Sequence, residues 1–199
     1  PELVRYDYRL FLPPVNLFRE RAIITRPEAR TTTFTLPARC QEIGFLMRGE
    51  IIWNKGAGAG VSMAWGSWQS ASNPVLRDTH EYILVFSKGS FKREAKNKEN
   101  TISKEQFMEW TKSVWTMNPE SAKKVMHPAP FPAELPYRLI QLYSFRGDVV
   151  LDPFMGSGST GVAALNSDRR YVGYEISEEY LRIAEERLKA MQSQVRLFV

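Results

Sequence analysis

An α/β fold built around a sheet covered on both faces is predicted by three observations. Two near-continuous apolar runs lie upstream, at residues 50–54 and 81–87. A third apolar strand runs into a Gly-rich turn, and a fourth strand then ends on an acid. Apolar runs of this length suit strands buried on both faces, the usual condition of a parallel sheet. Composition permits the core this needs. The 199 residues are 43% hydrophobic and 25% charged, which suits one ordinary domain and excludes general disorder. Twelve Gly and twelve Pro exclude collagen-like and low-complexity readings. The single cysteine, Cys40, excludes a disulfide framework and a multi-cysteine zinc site. His80 and His127 lie far apart, so no metal centre is expected.

No apolar run approaches the ~20 residues of a membrane span, and no charged-then-apolar leader opens the sequence. A soluble, cytoplasmic protein is expected, with no membrane partner. The net charge of +5 suits a nucleic-acid partner without requiring one. The distribution of charge says more. Residues 1–39 hold seven arginines and no lysine, whereas residues 40–199 hold ten of each. The shift divides an atypical Arg-rich segment, 1–39, from a domain spanning 40–199.

Within 1–39, residues 6–12 and 31–36 favour strands, interrupted by Pro13-Pro14. From Cys40 the signals sharpen. Residues 50–54 read as a buried strand, followed by a Gly/Ala loop at 56–60. Residues 81–87 form the second strand. The stretch 88–126 is more polar, with a helix expected from Ser103 to Val114. Trp110 and Trp115 are expected to pack against that helix. After the Pro-rich residues 127–132, a helical pattern runs from Ala133 to Tyr143. Strands follow at 148–152 and 171–176. The last helix begins after Ser177, an N-cap residue, with Glu178 and Glu179 in the first turn where the helix dipole favours acids. Leu181, Ala184, Leu188 and Met191 give it one apolar face, and Glu178–Arg182 is an i,i+4 pair.

The informative unit runs from Asp152 to Glu175: strand, Gly-rich loop, helix, strand, acid. In a Rossmann-like sheet this is a βαβ nucleoside site. Glycines let backbone N–H groups approach a ligand, and the acid accepts the ribose hydroxyls. Glu175 lies 23 residues after Asp152, near the ~20 that this geometry expects. The bland alternative is a tight βα turn with Glu175 as a solvated strand end.

A dinucleotide would set its pyrophosphate at the helix N-terminus, where a carboxylate such as Asp152 is unfavourable. Asp152 instead suits a ligand carrying an ammonium and a sulfonium. S-adenosylmethionine has both, and a ribose for Glu175. Only 24 residues follow Glu175, so the other half of the sheet is expected upstream. Nicotinamide enzymes usually begin with their Gly-rich unit; here it comes last.

Residues 152–160 (Asp-Pro-Phe-Met-Gly-Ser-Gly-Ser-Thr) and 171–176 (Tyr-Val-Gly-Tyr-Glu-Ile) resemble the cofactor motifs of DNA amino-methyltransferases, the N4-cytosine/N6-adenine family. They resemble most its permuted subclass, whose catalytic half precedes the cofactor half. Residues 127–140 are similar to the segment that folds against the cofactor's methionine end, and 48–55 and 80–86 to sheet strands. The resemblance covers roughly residues 40–190. It implies a Rossmann-like S-adenosylmethionine-dependent methyltransferase sheet in permuted order, incomplete in this sequence. By that resemblance, Asp152 binds near the methionine amino group, and Phe154, Gly156 and Gly158 line methionine and ribose. Ser159 and Thr160 sit near the carboxylate, Glu175 takes the ribose hydroxyls and Ile176 flanks the adenine. Phe131 packs against the cofactor, or is a core aromatic held by prolines.

The resemblance breaks at the chemistry. The family uses Asp, Asn or Ser, then Pro-Pro, then an aromatic, to accept hydrogen bonds from the target amino group and stack on the flipped base. The only Pro-Pro here, Pro13-Pro14, lies between Leu12 and Val15. The catalytic residues are therefore unknown, and so is the choice between cytosine N4 and adenine N6. The expected function is methylation of double-stranded DNA of restriction-modification type. The alternatives are a degenerate cofactor- or DNA-binding remnant, and a methyltransferase for RNA or small molecules. Trp65 and Trp68, and the lysines within 88–126 (a candidate target-recognition insertion), are candidate DNA contacts. A homodimer is an allowed assembly.

Overall fold

The structure is a computed structural model and describes residues 37–38, 40–56, 66–77, 79–120 and 131–196. The strands expected at 6–12 and 31–36, Pro13-Pro14, Trp65, Lys123, Lys124 and residues 127–130 lie outside the described residues.

Strand β1 is Phe45–Asn54 and β2 is His80–Lys88. They pair antiparallel, with Ile51 opposite Ile83 and Trp53 opposite Glu81, so the parallel pairing expected for these two strands is corrected. The reason is visible along β2. Glu81, Ile83, Val85 and Ser87 are buried while the residues between them are half-buried. The apolar run therefore conceals a period of two, the signature of a strand covered mainly on one face. β1 starts five residues earlier than its apolar run, and its register shifts at a bulge between Met47 and Gly49.

Helix α1 is Lys104–Trp110. The Ser103 hydroxyl accepts from the Gln106 N–H at 3.2 Å, and the Gln106 side chain accepts from the Ser103 N–H at 3.0 Å. This reciprocal cap satisfies two N–H groups that a helix start leaves open. The helix expected to reach Val114 stops four residues short, because β3, Val114–Thr116, joins β1 in parallel. A β-branched residue beside an aromatic gains more from a pleated sheet than from a helix end. Trp115 is accordingly a sheet residue opposite Trp53, and from the sheet it packs against helical residues as expected, in one cluster with Leu135 and Leu139. Both indoles are buried: Trp53 Nε1 donates to the Met117 carbonyl at 2.8 Å and Trp115 Nε1 to the Trp110 carbonyl at 3.2 Å.

Helix α2, Glu134–Tyr143, connects the two halves of the core. Its Leu135 and Leu139 pack with Ile51, Trp53, Ile83 and Trp115. The next residue, Ile140, packs with Val150, Ala163 and Ala164 of the second half. Each fully buried side chain of this kind contributes about 1.5–3 kcal/mol. The second half comprises β4 (Val149–Asp152), α3 (Ser159–Leu165), β5 (Arg170–Gly173) and α4 (Glu178–Arg196). β4 and β5 pair in parallel, as a βαβ unit requires. The described strands thus form two sheets, ordered β2-β1-β3 and β4-β5.

Arg169 is 2% exposed and locks the base of this half. It donates to the Ser144 carbonyl at 2.6 Å and the Ser144 hydroxyl at 3.0 Å, and also to Thr101 Oγ1. The Ser177 hydroxyl accepts from the Tyr180 N–H at 3.4 Å, as expected of the N-cap. Arg182 pairs with Glu186 at 3.3 Å instead of Glu178. Of the expected apolar face of α4, Ala184 is buried and Leu188 and Met191 are half-buried, whereas Leu181 is exposed; Ile183 is buried as well. Among the described residues no helix is long and apolar enough to cross a membrane.

Candidate functional site

Parallel pairing sets Asp152 opposite Gly173, so β4 and β5 open their C-terminal ends on the same side. Crevices of this kind, at the carboxyl ends of parallel strands, hold the ligands of open α/β sheets. Residues 153–158 fold over that end. The Tyr174 N–H donates to the Asp152 carbonyl at 2.9 Å and the Met155 N–H to the Tyr174 carbonyl at 3.0 Å. Gly156 and Gly158 have φ of 50° and 81°, a region other residues enter at a cost. A Cβ on Gly158 would stand 3.0 Å from Ala184 Cβ, so this glycine also lets α4 close on the loop.

Asp152 lies beneath the loop with no exposed surface. Its Oδ1 accepts from the Phe154 N–H at 3.0 Å. Its Oδ2, Thr160 Oγ1 and the Tyr171 hydroxyl are buried without a hydrogen-bond partner. Burial pushes the Asp152 carboxyl above the usual carboxylate range, and the negative Glu175 adds to this. The Phe154 N–H opposes the shift, as does the Thr160 hydroxyl near by without completing a hydrogen bond. Burial, reinforced by Asp152, also raises Tyr171. Each unsatisfied buried group costs about 1–3 kcal/mol, a cost that a cationic, hydrogen-bonding ligand removes. These orphaned atoms fit the ammonium-bearing end of S-adenosylmethionine.

Glu175 lies two residues beyond β5, which ends at Gly173, earlier than the strand expected from sequence. Its Oε2 accepts from the Gly156 N–H at 2.9 Å, and its Oε1 from the N–H groups of Ile176 at 2.9 Å and Ser177 at 3.0 Å. The carboxylate ties the glycine loop to the start of α4. A carboxylate offers about four acceptor positions, so it retains capacity for a hydroxyl. Tyr174 and Ile176 flank it in the chain and are 63% and 85% exposed, and Phe154 on the glycine loop is 37% exposed. Ser159 is buried at the first position of α3.

Phe131 is buried in the first core cluster, among the residues around Trp53 and Leu135. Sequence reasoning missed Arg187. From α4 its Nη1 donates to the Ser157 carbonyl and, at 3.0 Å, to the Ser157 hydroxyl, clamping the loop from below. Burial lowers its guanidinium from the usual range, opposed by the charge of Glu120. An arginine three residues after Ala184, on the buried side of an otherwise amphipathic helix, was the available signal.

The remaining candidates lie elsewhere. Trp68 is 63% exposed on a turn where the Ser67 N–H donates to the Asn73 carbonyl at 2.8 Å. Lys98 pairs with Asp148 and Lys112 with Glu109, at 2.6 Å and 2.5 Å, whereas Lys92, Lys96 and Lys104 are exposed. His80 packs edge-on against Tyr82, centroids 5.0 Å apart. Among the described residues no group of three or more His, Cys, Asp or Glu could hold a metal. A cavity of about 200 Å³ lies away from the glycine loop, between β2 and α2.

Residues 22–186 match the DNA methylase family of N6/N4 methyltransferases. The type II methyltransferase M.MthZI of Methanothermobacter thermautotrophicus is 35% identical over 150 residues, covering 69% of this chain and 42% of the relative. M.MjaI of Methanocaldococcus jannaschii is 33% identical over 166 residues, covering 78% and 53%. The chain thus spans about half the length of these relatives. Among solved structures, TTHA0409 of Thermus thermophilus complexed with S-adenosyl-L-methionine superposes with a TM-score of 0.60 at 32% identity, covering 77% of this chain and 57% of that one. The M1.HpyAVI–SAM complex gives 0.56 at 25% identity, covering 79% and 70%. The fold is therefore the Rossmann-like methyltransferase fold, and the chain belongs to the family of DNA amino-methyltransferases.

Proposed function

We propose that this chain carries the S-adenosylmethionine site of an enzyme that methylates an exocyclic amino group of double-stranded DNA, cytosine N4 or adenine N6, in a restriction-modification setting. The observation that carries this reading is the trio of orphaned buried atoms, Asp152 Oδ2, Thr160 Oγ1 and Tyr171 Oη, under a glycine loop closed by Glu175. When bound, the cofactor supplies an electrophilic methyl group on a sulfonium. Asp152 binds the ammonium and Glu175 the ribose hydroxyls. Ser159 and Thr160 lie toward the carboxylate. Gly156 and Gly158 admit the ligand to the backbone, and Phe154 and Ile176 shield the adenine from water. A packing role for Phe131 rests on the family resemblance of residues 127–140.

One observation favours a second reading, a cofactor-binding remnant: the sequence contains no Pro-Pro-aromatic preceded by an amino-group acceptor. Equilibrium dialysis with labelled S-adenosylmethionine tests the site. Saturable binding is expected, weakened about 10- to 100-fold by Asp152→Ala or Glu175→Ala, the equivalent of ~1.5–3 kcal/mol for a hydrogen bond to a charged group. Absence of saturable binding overturns the assignment. A labelled-methyl assay on DNA separates the two readings. Little transfer by this chain alone is expected, and robust transfer removes the remnant.

A further inference from the structure

Of the three buried atoms without partners, the Tyr171 hydroxyl is the one to which the cofactor gives no role. Its placement is specific. Tyr171 lies on β5 opposite Val150, and Gly173, two residues on, lies opposite Asp152. Alternate residues of a strand share a face, so Tyr171 and Gly173 belong to the same side. Gly173 has no side chain to fill that side. A Cβ there would stand 2.6 Å from the Tyr171 hydroxyl and 2.5 Å from Met155 Sδ, and one on Gly161 of α3 would stand 2.7 Å from the Tyr171 ring. The ring therefore lies against two glycines, and its hydroxyl reaches along the strand to the level of Asp152, beside Met155 of the glycine loop. Two residues of strand span about 6.5 Å, a distance that a tyrosine side chain covers.

Asp152 is the group this hydroxyl can serve. Burial, reinforced by the Asp152 charge, raises the Tyr171 phenol, so it keeps its proton and remains a donor. Asp152 Oδ1 already accepts from the Phe154 N–H, whereas Oδ2 accepts from nothing. Burial also holds the Asp152 carboxyl above the usual range, which favours the neutral acid, a weaker acceptor. A cation beside Asp152 reverses that balance. Hydrogen bonds to an ionised acceptor are roughly twice as strong as neutral ones. Tyr171 thus meets its strongest acceptor only when the site is loaded.

We infer that Tyr171 is a positioning residue of the cofactor site: its hydroxyl donates to Asp152 Oδ2 once an ammonium lies against the carboxylate, and holds that carboxylate charged and oriented. The inference rests on the S-adenosylmethionine reading of Asp152, and adds to it a residue that acts through Asp152 without touching the cofactor. The hydroxyl then has opposite effects in two states. Without cofactor it is a buried donor lacking an acceptor, which destabilises the fold. With cofactor it makes a charge-assisted hydrogen bond, which stabilises the complex.

Tyr171→Phe removes the hydroxyl and keeps the ring, and its effect is measured in both states. In urea without cofactor, the variant should unfold at the parent's midpoint or above it, because an unsatisfied buried group is gone. In equilibrium dialysis with labelled S-adenosylmethionine it should bind about tenfold more weakly than the parent. Added to Asp152→Asn, the same substitution should weaken binding about threefold or less, since the amide offers only a neutral acceptor, about half as strong. A lowered urea midpoint overturns the inference, because the hydroxyl is then satisfied without cofactor. Parent-like binding by Tyr171→Phe, with saturable binding by the parent, also overturns it and leaves the cofactor reading standing. Equal losses with and without Asp152→Asn mean that the hydroxyl acts independently of the carboxylate, which overturns it as well. If the parent itself shows no saturable binding, the cofactor reading falls and the inference with it.

Discussion

Two glycines with nearly the same positive φ offer a way to weigh local strain against close packing. Gly158 has φ of 81° and Gly147 of 76°. A Cβ on Gly147 would meet nothing within 4 Å, whereas one on Gly158 would lie 3.0 Å from Ala184 Cβ and 3.3 Å from Ala184 Cα. Alanine in the left-handed region costs about 1–2 kcal/mol. A stiffer unfolded chain returns about 0.4–1 kcal/mol. Gly147→Ala should therefore destabilise by about 1 kcal/mol. Gly158→Ala carries the same penalty and must also push α4 off the loop. Overpacking of this kind costs about 1–3 kcal/mol, bringing the total to about 2–4 kcal/mol. Urea unfolding of both variants measures the difference, provided their m-values agree. The displaced α4 carries Arg187, so Gly158→Ala should also weaken cofactor binding while Gly147→Ala leaves it intact. If the two variants unfold within about 0.5 kcal/mol of each other, a spread typical of neutral surface changes, the packing argument fails.

Three further perturbations probe the charged groups. Burial raises Asp152, so its contribution to stability is full below the unfolded carboxyl value and declines as pH rises through the folded one. Asp152→Asn should therefore gain on the parent in stability as pH rises from about 4 to 7, while losing cofactor affinity; urea midpoints showing the reverse trend would falsify the assignment of strain to that carboxylate. Burial also works to raise Asp148, but hydrogen bonds from Arg93, Lys98 and the Phe145 N–H outweigh it and hold its carboxyl low. Asp148→Asn should cost about 2–3 kcal/mol at pH 7, below the figure for a fully buried pair because both cations are partly exposed, and progressively less as pH falls through the folded value. Thermal unfolding at pH 7 and pH 3 compares the two conditions. Arg187→Met, which leaves Ser157 without its clamp, should lower cofactor affinity about tenfold, the equivalent of one hydrogen bond, with Arg187→Lys recovering part of it. Equilibrium dialysis measures both variants, and parent-like binding by Arg187→Met would mean that the loop keeps its shape without the clamp.

The local order of the cofactor unit was legible because each part has a short-range cause. Strand β4 is an apolar run, Gly156 and Gly158 mark a backbone other residues resist, and Ser177 caps α4. The place of Glu175 beside the glycine loop was legible from its distance along the chain, which the βαβ unit constrains. Arg187 was not, because its contact with Ser157 spans 30 residues and depends on how α4 lies across the loop. The helix expected to reach Val114 failed for a related reason. Helical spacing and a good cap start α1, but β1 recruits Val114–Thr116 into the sheet. Pairing partners as distant in sequence as Ile52 and Val114 leave no trace in a local window.

By itself, the chain of residues determined the α/β class, the Gly-rich turn, the acid that follows it and the family to which they point. These follow from steric freedom at glycine, side-chain periodicity and capping, all of which act over a few residues. Tertiary structure decided the rest: that β1 and β2 run antiparallel, that Trp115 faces Trp53 in a sheet, and that Asp152 Oδ2, Thr160 Oγ1 and Tyr171 Oη are left buried without partners. Burial, desolvation and edge pairing depend on segments distant in sequence meeting in space, so only the folded chain specifies them.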